Sequence, residues 1–285
     1  MDKITRKSLL YKSQVEYGDF CINHIEGCAH GCKFPCYAML LKKRCGVIRD
    51  YQDWLRPKLV SNAIELLNSE LPRYRNRIQR VHLCFSSDPF MYGYPQVTEM
   101  SMRIIEELKK NKIKAVILTK GVLPPALASE DRFGTENEYG VTFVSLDEGF
   151  RRGFEPNATP YSERLSALRF LHSKGLKTWV SIEPYPTPNI IEQELRGILD
   201  KVSFVNKIVF GKMNYNPLVY RYRGWEAFYE ECSSVVIEYC QKLKIDLHIK
   251  KGTSRAYDEN KKSLIRNEGK GAKPPILEYR PSLFE

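Results

Sequence analysis

An α/β fold built on a mostly parallel sheet is predicted, and three observations carry it. Short apolar runs recur about every 27–38 residues from position 80 onward. Helix-period stretches fill several of the gaps between them. The runs are near-continuously apolar rather than alternating, as strands covered on both faces are. This spacing is the period of a βα unit. About seven such units fit the chain. A doubly wound sheet and a (β/α) barrel both accommodate them.

The elements follow in order. A first strand is expected at about 17–23 and a helix at about 57–69. Strands are then expected at 81–86 (Val-His-Leu-Cys-Phe-Ser), 114–119, 141–146, 177–182, 207–211 and 245–249. A helix from Thr98 to Lys110 places Met102, Ile104, Ile105 and Leu108 on one side. Another runs from Ser162 to Ser173, with Leu165, Leu168, Phe170 and Leu171, and Gly175 stops it. A third spans about Trp225 to Leu243, where Cys232 and Cys240 lie two turns apart on one core-facing stripe. No linker or low-complexity tract interrupts residues 1–285, so one domain is expected. Residues 250–285 lack periodicity and are read as a C-terminal extension packed over or beside the sheet.

Composition narrows the class. Of the 285 residues, 42% are hydrophobic and 28% charged, enough for a sizeable core. No apolar run approaches the ~18 residues of a membrane span. The start, Met-Asp-Lys-Ile-Thr-Arg-Lys, is followed by no apolar stretch, so no secretory signal is read and a cytoplasmic setting is expected. The net charge of +11 suits a polyanion or an acidic protein partner. In a reducing compartment, clustered thiols among the eight cysteines read as metal ligands or catalysts rather than disulfides.

The sharpest feature is the stretch Gly27-Cys28-Ala29-His30-Gly31-Cys32-Lys33-Phe34-Pro35-Cys36-Tyr37-Ala38. Three thiols on one loop after the first strand can converge on an inorganic centre, and Gly27 and Gly31 let the backbone wrap it closely. Three thiolates suit an iron–sulfur cluster with one iron left open, or a zinc site that His24 or His30 would complete. The isolated cysteines, Cys21, Cys45, Cys84, Cys232 and Cys240, are read as buried structural thiols.

The cysteine loop resembles that of the radical S-adenosylmethionine (SAM) superfamily. Within it, the pieces are similar to the spore photoproduct lyase-like branch: Cys36-Tyr37-Ala38, Ser87-Asp88-Pro89-Phe90, Leu118-Thr119-Lys120, Ser145-Leu146-Asp147, Glu155-Pro156 leading to Glu163-Arg164-Leu165, and Ser181-Ile182-Glu183-Pro184. They cover roughly residues 15–215, and most close a strand. The resemblance implies a partial TIM barrel, (β/α)6-like, forming a single radical SAM domain. It implies a [4Fe–4S] cluster on Cys28, Cys32 and Cys36, with SAM on the open iron. The usual spacing is C-x3-C-x2-C; here it is C-x3-C-x3-C, with Pro35 as the added, stiffening residue.

In such barrels the chemistry gathers where the strands end. By resemblance, Ser87, Lys120 and Ser145 are expected to contact SAM, with Lys120 on its carboxylate. Asp88 or Glu183 would meet the ribose or the amino end, and Tyr37 the adenine. The implied reaction is reductive cleavage of SAM to a 5′-deoxyadenosyl radical that takes hydrogen from substrate. A flavodoxin- or ferredoxin-like electron donor is implied with it.

Spore photoproduct lyases act on a thymine lesion, so DNA or RNA is the expected substrate. Arg73, Arg75, Arg77 and Arg80 surround Tyr74, and the tail 241–285 holds eleven Lys/Arg against six Asp/Glu. Tyr92 and Tyr94 are candidates to stack on a base. Anchoring on Ser87-Asp88 puts Phe85, not Cys84, where the lyases hold a hydrogen-donating cysteine, and strand parity turns Cys84 away. Two other readings remain: radical modification of a peptide or protein, and a non-catalytic iron–sulfur sensor.

Overall fold

Seven parallel strands lie across one sheet in the order in which the chain makes them. The computed structural model describes residues 1–13, 19–74 and 77–259. Its strands are β1 (Asp2–Ile4), β2 (Leu10–Lys12), β3 (Phe20–Ile22), β4 (Ile25–Glu26), β5 (Lys58–Val60), β6 (Arg80–Leu83), β7 (Lys114–Thr119), β8 (Glu138–Thr142), β9 (Lys177–Tyr185), β10 (Lys207–Lys212) and β11 (Asp246–Ile249). The main sheet runs β11-β10-β9-β8-β7-β6-β3-β2, with only β2 antiparallel. A doubly wound sheet reverses its strand order at a switch point. This one never does, so its winding is that of a barrel left open between β11 and β2.

The seven parallel strands match the expected number of βα units and exceed the six of the implied barrel by one. Two local expectations are corrected. Residues 58–60 form β5, not the start of a helix; β5 pairs with β1 and β4 in a separate three-stranded sheet, and the helix begins at Ala63 and ends at Tyr74. The strand expected at 141–146 starts earlier, at Glu138, its first residues masked by polar neighbours. The helices Pro95–Lys110, Tyr161–Ser173 and Trp225–Leu243 lie close to their expected spans. Pro95 opens the first of them, where its missing N–H costs nothing.

Alternation along the strands divides the side chains between two environments. Val81, Leu83, Ala115, Ile117, Tyr139, Val141, Val180, Ile182, Ile208 and Phe210 point outward into the main core under the helices. The inner face is different. Val116, Trp179 and Val209 form a small separate cluster, with Leu118 packed on it. The indole of Trp179 lies over its cross-strand partner Gly140, and a Cβ there would stand 2.4–2.6 Å from the ring atoms. Lys207 Nζ sits 5.8 Å from the Trp179 ring centroid. The barrel thus has an aromatic floor.

Beyond β11 the chain folds back onto the helix Trp225–Leu243. Ser254 Oγ donates to Glu230 Oε2 at 2.6 Å, and Arg255 Nη2 reaches Glu226 Oε1 at 2.6 Å. The C-terminal extension is thereby followed to Glu259; residues 260–285, with their basic charges, lie outside the described residues, as does Arg75. No helix among the described residues is long and apolar enough to cross a membrane. Cys21, Cys84, Cys232 and Cys240 are buried as expected, whereas Cys45 is exposed just past the helix Tyr37–Arg44.

The floor gives a test of the packing. Gly140→Ala forces a methyl into the Trp179 ring, and overpacking of this kind costs about 1–3 kcal/mol. The urea midpoint of Gly140→Ala is expected to fall with its m-value unchanged; an unaltered midpoint would show that the indole does not lie there.

Candidate cluster and cofactor site

A cavity of about 450 Å³ opens above that floor, at the C-terminal ends of the strands. Strand parity builds its wall: His82, Leu118, Thr142, Ser181 and Glu183 are inward residues of successive strands, and all line it. The cysteine loop closes one side, contributing Cys28, Cys32 and Cys36.

Contacts from several directions fix the loop. Gly27 has φ +86°, and a Cβ there would meet Trp54 O at 2.8 Å. Cys28 N donates to that same Trp54 O at 3.0 Å. Gly31, at φ +68°, leaves room for Asn157 and Pro156. Asn157 Nδ2 donates to Ala29 O at 3.0 Å, and Lys33 N to Phe154 O at 2.8 Å. Phe34 stacks on Phe154 with ring centroids 5.2 Å apart. The segment with the added Pro35 is therefore anchored by the aromatic residue before it, and Cys36 still reaches the cavity.

Asp88 ties this loop to the sheet. It is buried, and Oδ1 accepts from Phe90 N at 2.9 Å and Thr119 Oγ1 at 2.5 Å. Oδ2 accepts from Lys120 N at 2.7 Å and lies 3.0 Å from His30 Nε2. Burial alone would raise its pKa; the adjacent His30 and the hydrogen bonds outweigh it and hold the carboxyl below its ordinary value. His30 is itself buried on the cavity wall, and its Nδ1 has no hydrogen-bond partner among the described residues.

Glu155, Arg164 and Lys120 form a second buried network. Glu155 Oε2 accepts from Arg164 Nη2 at 2.7 Å, and its Oε1 pairs with Lys120 Nζ. Arg164 also donates to Thr159 O at 2.8 Å and Thr142 O at 2.9 Å. Burial opposes ionisation of Glu155, but Lys120 and Arg164 prevail and bring its pKa down to about 2. Lys120 Nζ additionally lies 5.4 Å from the Phe34 ring.

Of the residues expected at the site, Cys28, Cys32, Cys36, Tyr37, Ser87, Asp88, Lys120 and Glu183 all line the cavity. Ser145 does not; it is buried below the next loop, where its Oγ accepts from Asp147 N at 3.0 Å. Ser87 Oγ donates to Gly27 O at 2.5 Å, and Tyr37 Oη to Phe85 O at 2.5 Å, so both hydroxyls brace the loop against the end of β6. Cys84 is buried yet lines the cavity beside Phe85. It lies just past the end of β6 with φ +59°, two residues on from the inward His82.

The proton on this thiol can be placed. Ser101 Oγ donates to Pro89 O at 2.5 Å, so it accepts from His24 Nε2 at 2.8 Å. His24 Nδ1 is then the acceptor for the Cys84 thiol at 3.5 Å. Burial lowers the pKa of His24 to about 3, so the ring is neutral.

The basic and aromatic candidates elsewhere in the sequence stand apart from the cavity. Arg80 begins β6 and pairs with Asp19 at 3.6 Å, at the opposite end of the strand from Asp88. Tyr92 is exposed and Tyr94 partly buried against the core, and neither lines the cavity. Lys212, Asn214, Tyr215 and Lys250 do line it, though the sequence did not single them out. Lys212 and Lys250 were legible only as polar ends of apolar strands.

Three thiols line one cavity, the donor set an iron–sulfur cluster takes. Among the described residues no three His, Cys, Asp or Glu side chains are grouped to hold a metal ion. Burial pushes Cys28 well above the ordinary thiol value and Cys32 up to about 12. Thiolates here therefore need a cationic centre to stabilise them.

Removing the charge of Glu155 tests the second network. Glu155→Gln leaves Arg164 buried beside a neutral group, a loss of about 3–5 kcal/mol. Because the folded pKa is depressed, the wild-type contribution is complete above the ordinary glutamate range and fades as pH falls toward 2. Urea titrations at pH 7 and near pH 2.5 are expected to show a gap between wild type and Glu155→Gln that shrinks in acid. A gap independent of pH would contradict the ion-pair assignment.

Comparison with known proteins places this arrangement. No family profile matches the chain. An uncharacterized protein of Acidianus two-tailed virus is 28% identical over 194 residues, covering 64% of this chain. The match spans 61% of the viral protein's length. An uncharacterized protein of Methanocaldococcus jannaschii is 23% identical over 197 residues, covering 67% of this chain and 70% of that protein. Spore photoproduct lyase, solved with a dinucleoside spore photoproduct, superposes with a TM-score of 0.60 at 14% identity over 86% of this chain and 80% of that one. A doubly substituted variant of the lyase, with bound AdoMet as well, gives 0.58 over the same shares. With seven parallel strands in sequence order and a three-cysteine loop at their C-terminal ends, the chain has the partial-barrel fold of spore photoproduct lyase.

Proposed function

We propose that the chain is a radical SAM enzyme that acts on nucleic acid, holding a [4Fe–4S] cluster through Cys28, Cys32 and Cys36 and SAM in the adjoining cavity. The observation that carries this reading is the placement of three thiols from one braced loop on a cavity at the strands' C-terminal ends. Bound together, the cluster and SAM supply one-electron chemistry that removes hydrogen from an unactivated C–H bond.

The chain's own residues bind and shield. Lys120, held by Glu155, has further N–H donors for the methionyl carboxylate. Glu183 and Tyr37 line the same cavity; there Glu183 would accept from ribose hydroxyls, and the backbone at Tyr37 would meet the adenine. Ser87 and Asp88 fix the loop through Gly27, Thr119 and Lys120, and the Ser87 hydroxyl keeps its lone pairs for a donor on SAM. The floor of Val116, Trp179 and Val209 keeps water from below. The net charge of +11 suits docking of an acidic flavodoxin- or ferredoxin-like donor. The nucleic-acid assignment draws support from the shared fold with a lyase solved around a dinucleoside lesion.

Anaerobic reconstitution tests the reading. Wild-type protein is expected to take up about four irons per chain and, with dithionite and SAM, to release 5′-deoxyadenosine detected by chromatography. The triple variant Cys28→Ala, Cys32→Ala, Cys36→Ala is expected to lose both. Full iron in that variant would refute the ligand assignment. An intact wild-type cluster that never cleaves SAM would favour the sensor reading instead.

A further inference from the structure

The helix Tyr37–Arg44 starts at the third cysteine, with Cys36 as its N-cap. Ala38 is its buried residue. Tyr37, Leu40, Leu41 and Arg44 share one face at the i, i+3, i+4, i+7 spacing, and all four are exposed. A stripe at this spacing ordinarily packs on a core, yet Leu40 is 40% and Leu41 51% exposed. Gly46, at φ +68°, ends the helix in a Schellman turn. Its N–H donates to Lys43 O at 3.1 Å, and Val47 N to Lys42 O at 2.9 Å. The turn brings Val47, also exposed, back beside the helix end.

Beneath this face lies a small hydrophobic cluster separate from the main core. Ala38, Ile48 and Trp54 form it, and Cys28 and Cys36 pack against it. The short helix Tyr51–Trp54 completes the layer. Tyr51 Oη donates to Cys32 O at 3.3 Å, and the ring lies within electrostatic reach of all three thiols. The layer thus joins the cysteine loop to an outer surface. At 1.5 Å per residue, Leu40 and Leu41 stand only about 6–8 Å along the helix from Cys36.

The surface around the stripe is basic. Residues 33–56 hold six Lys/Arg against two Asp. Asp53 is answered within the layer, 3.9 Å from both Arg49 and Lys58. Lys43 and Arg44 are exposed and have no ion pair among the described residues. An apolar centre with a charged rim is the anatomy of a protein–protein contact, and a basic rim selects an acidic partner. Single-stranded nucleic acid is held by aromatic planes, which Leu40 and Leu41 do not offer. A second copy of this face would bring like charges together, as would the segment 260–285, with six Lys/Arg against three Asp/Glu.

We propose that Leu40, Leu41, Lys43, Arg44 and Val47 form the docking surface for a small acidic one-electron carrier protein, seated over the layer that holds Cys28 and Cys36. The inference rests on the proposed function, which needs single electrons delivered to the cysteine loop. The carrier gives up one electron and the cluster takes it up, with no atom transferred. Tunnelling falls off steeply with distance, and this face begins at a cluster ligand.

Flavodoxin, a small acidic flavoprotein, is the probe. Its binding to the full-length protein, with and without reconstituted cluster, is measured by calorimetry across a salt series. Its hydroquinone also replaces dithionite in the SAM-cleavage assay. Lys43→Glu with Arg44→Glu is expected to weaken flavodoxin binding about tenfold and to flatten its salt dependence. Flavodoxin-driven release of 5′-deoxyadenosine is expected to fall with it, while dithionite-driven release stays as in wild type. Leu41→Ala is expected to weaken binding about fivefold at every salt concentration, because it removes apolar area and no charge. Arg73→Glu with Arg77→Glu makes the same change in net charge toward the other end of the strands, and binding is expected to stay within about twofold of wild type. Equal weakening by both double variants would overturn the surface, as would wild-type binding that is absent or insensitive to salt. Weakened binding of a labelled octathymidylate by Lys43→Glu with Arg44→Glu, with flavodoxin binding intact, would assign the face to nucleic acid and overturn it too. Dithionite-driven cleavage by wild type judges the radical SAM reading separately, and the binding measurement stands whichever way that assay falls.

Discussion

A buried carboxylate is costly to keep ionised, and Asp88 is kept so by groups from three separate parts of the chain. His30 comes from the cysteine loop, Phe90 from the turn after β6, and Thr119 and the Lys120 amide from the end of β7. Each satisfies one lone pair, and each is thereby fixed relative to the others. The cysteine loop has no regular hydrogen-bond ladder of its own. Its position over the sheet depends on this exchange and on the backbone contacts of Gly27 and Asn157.

The same logic governs charge around the cavity. Arg164 is wholly buried and would be intolerable alone; Glu155 neutralises it and simultaneously positions Lys120. Charges on that side are answered within the protein. On the far wall Lys250 pairs with Glu183, and Lys212 rests against the Trp225 ring within reach of the charges of Glu226 and Asp258.

Much of this was legible before the coordinates. The apolar runs located the parallel strands, and the three clustered cysteines marked the loop. Polar residues closing those runs, such as Asp88, Lys120 and Glu183, were the ones on the cavity wall. Three things were hidden for physical reasons. The two small strands β1 and β5 are three residues each and carry no periodicity. Ser145 looked equivalent to its neighbours because the end of β8 was placed too late by a few residues, and in a strand a small offset changes the face. Cys84 was turned away by counting from Ser87-Asp88, whereas alternation counted from the inward His82 puts it on the cavity side, which it lines together with Phe85. The strand order, which decided between an open barrel and a doubly wound sheet, is a long-range property that no local pattern encodes.

The plug made by Trp179 over Gly140, with Lys207 beneath, has a consequence for traffic. It fills the inner face below the cavity, so the thiols are reached from the side of the strands' C-terminal ends, between the cysteine loop and Tyr215.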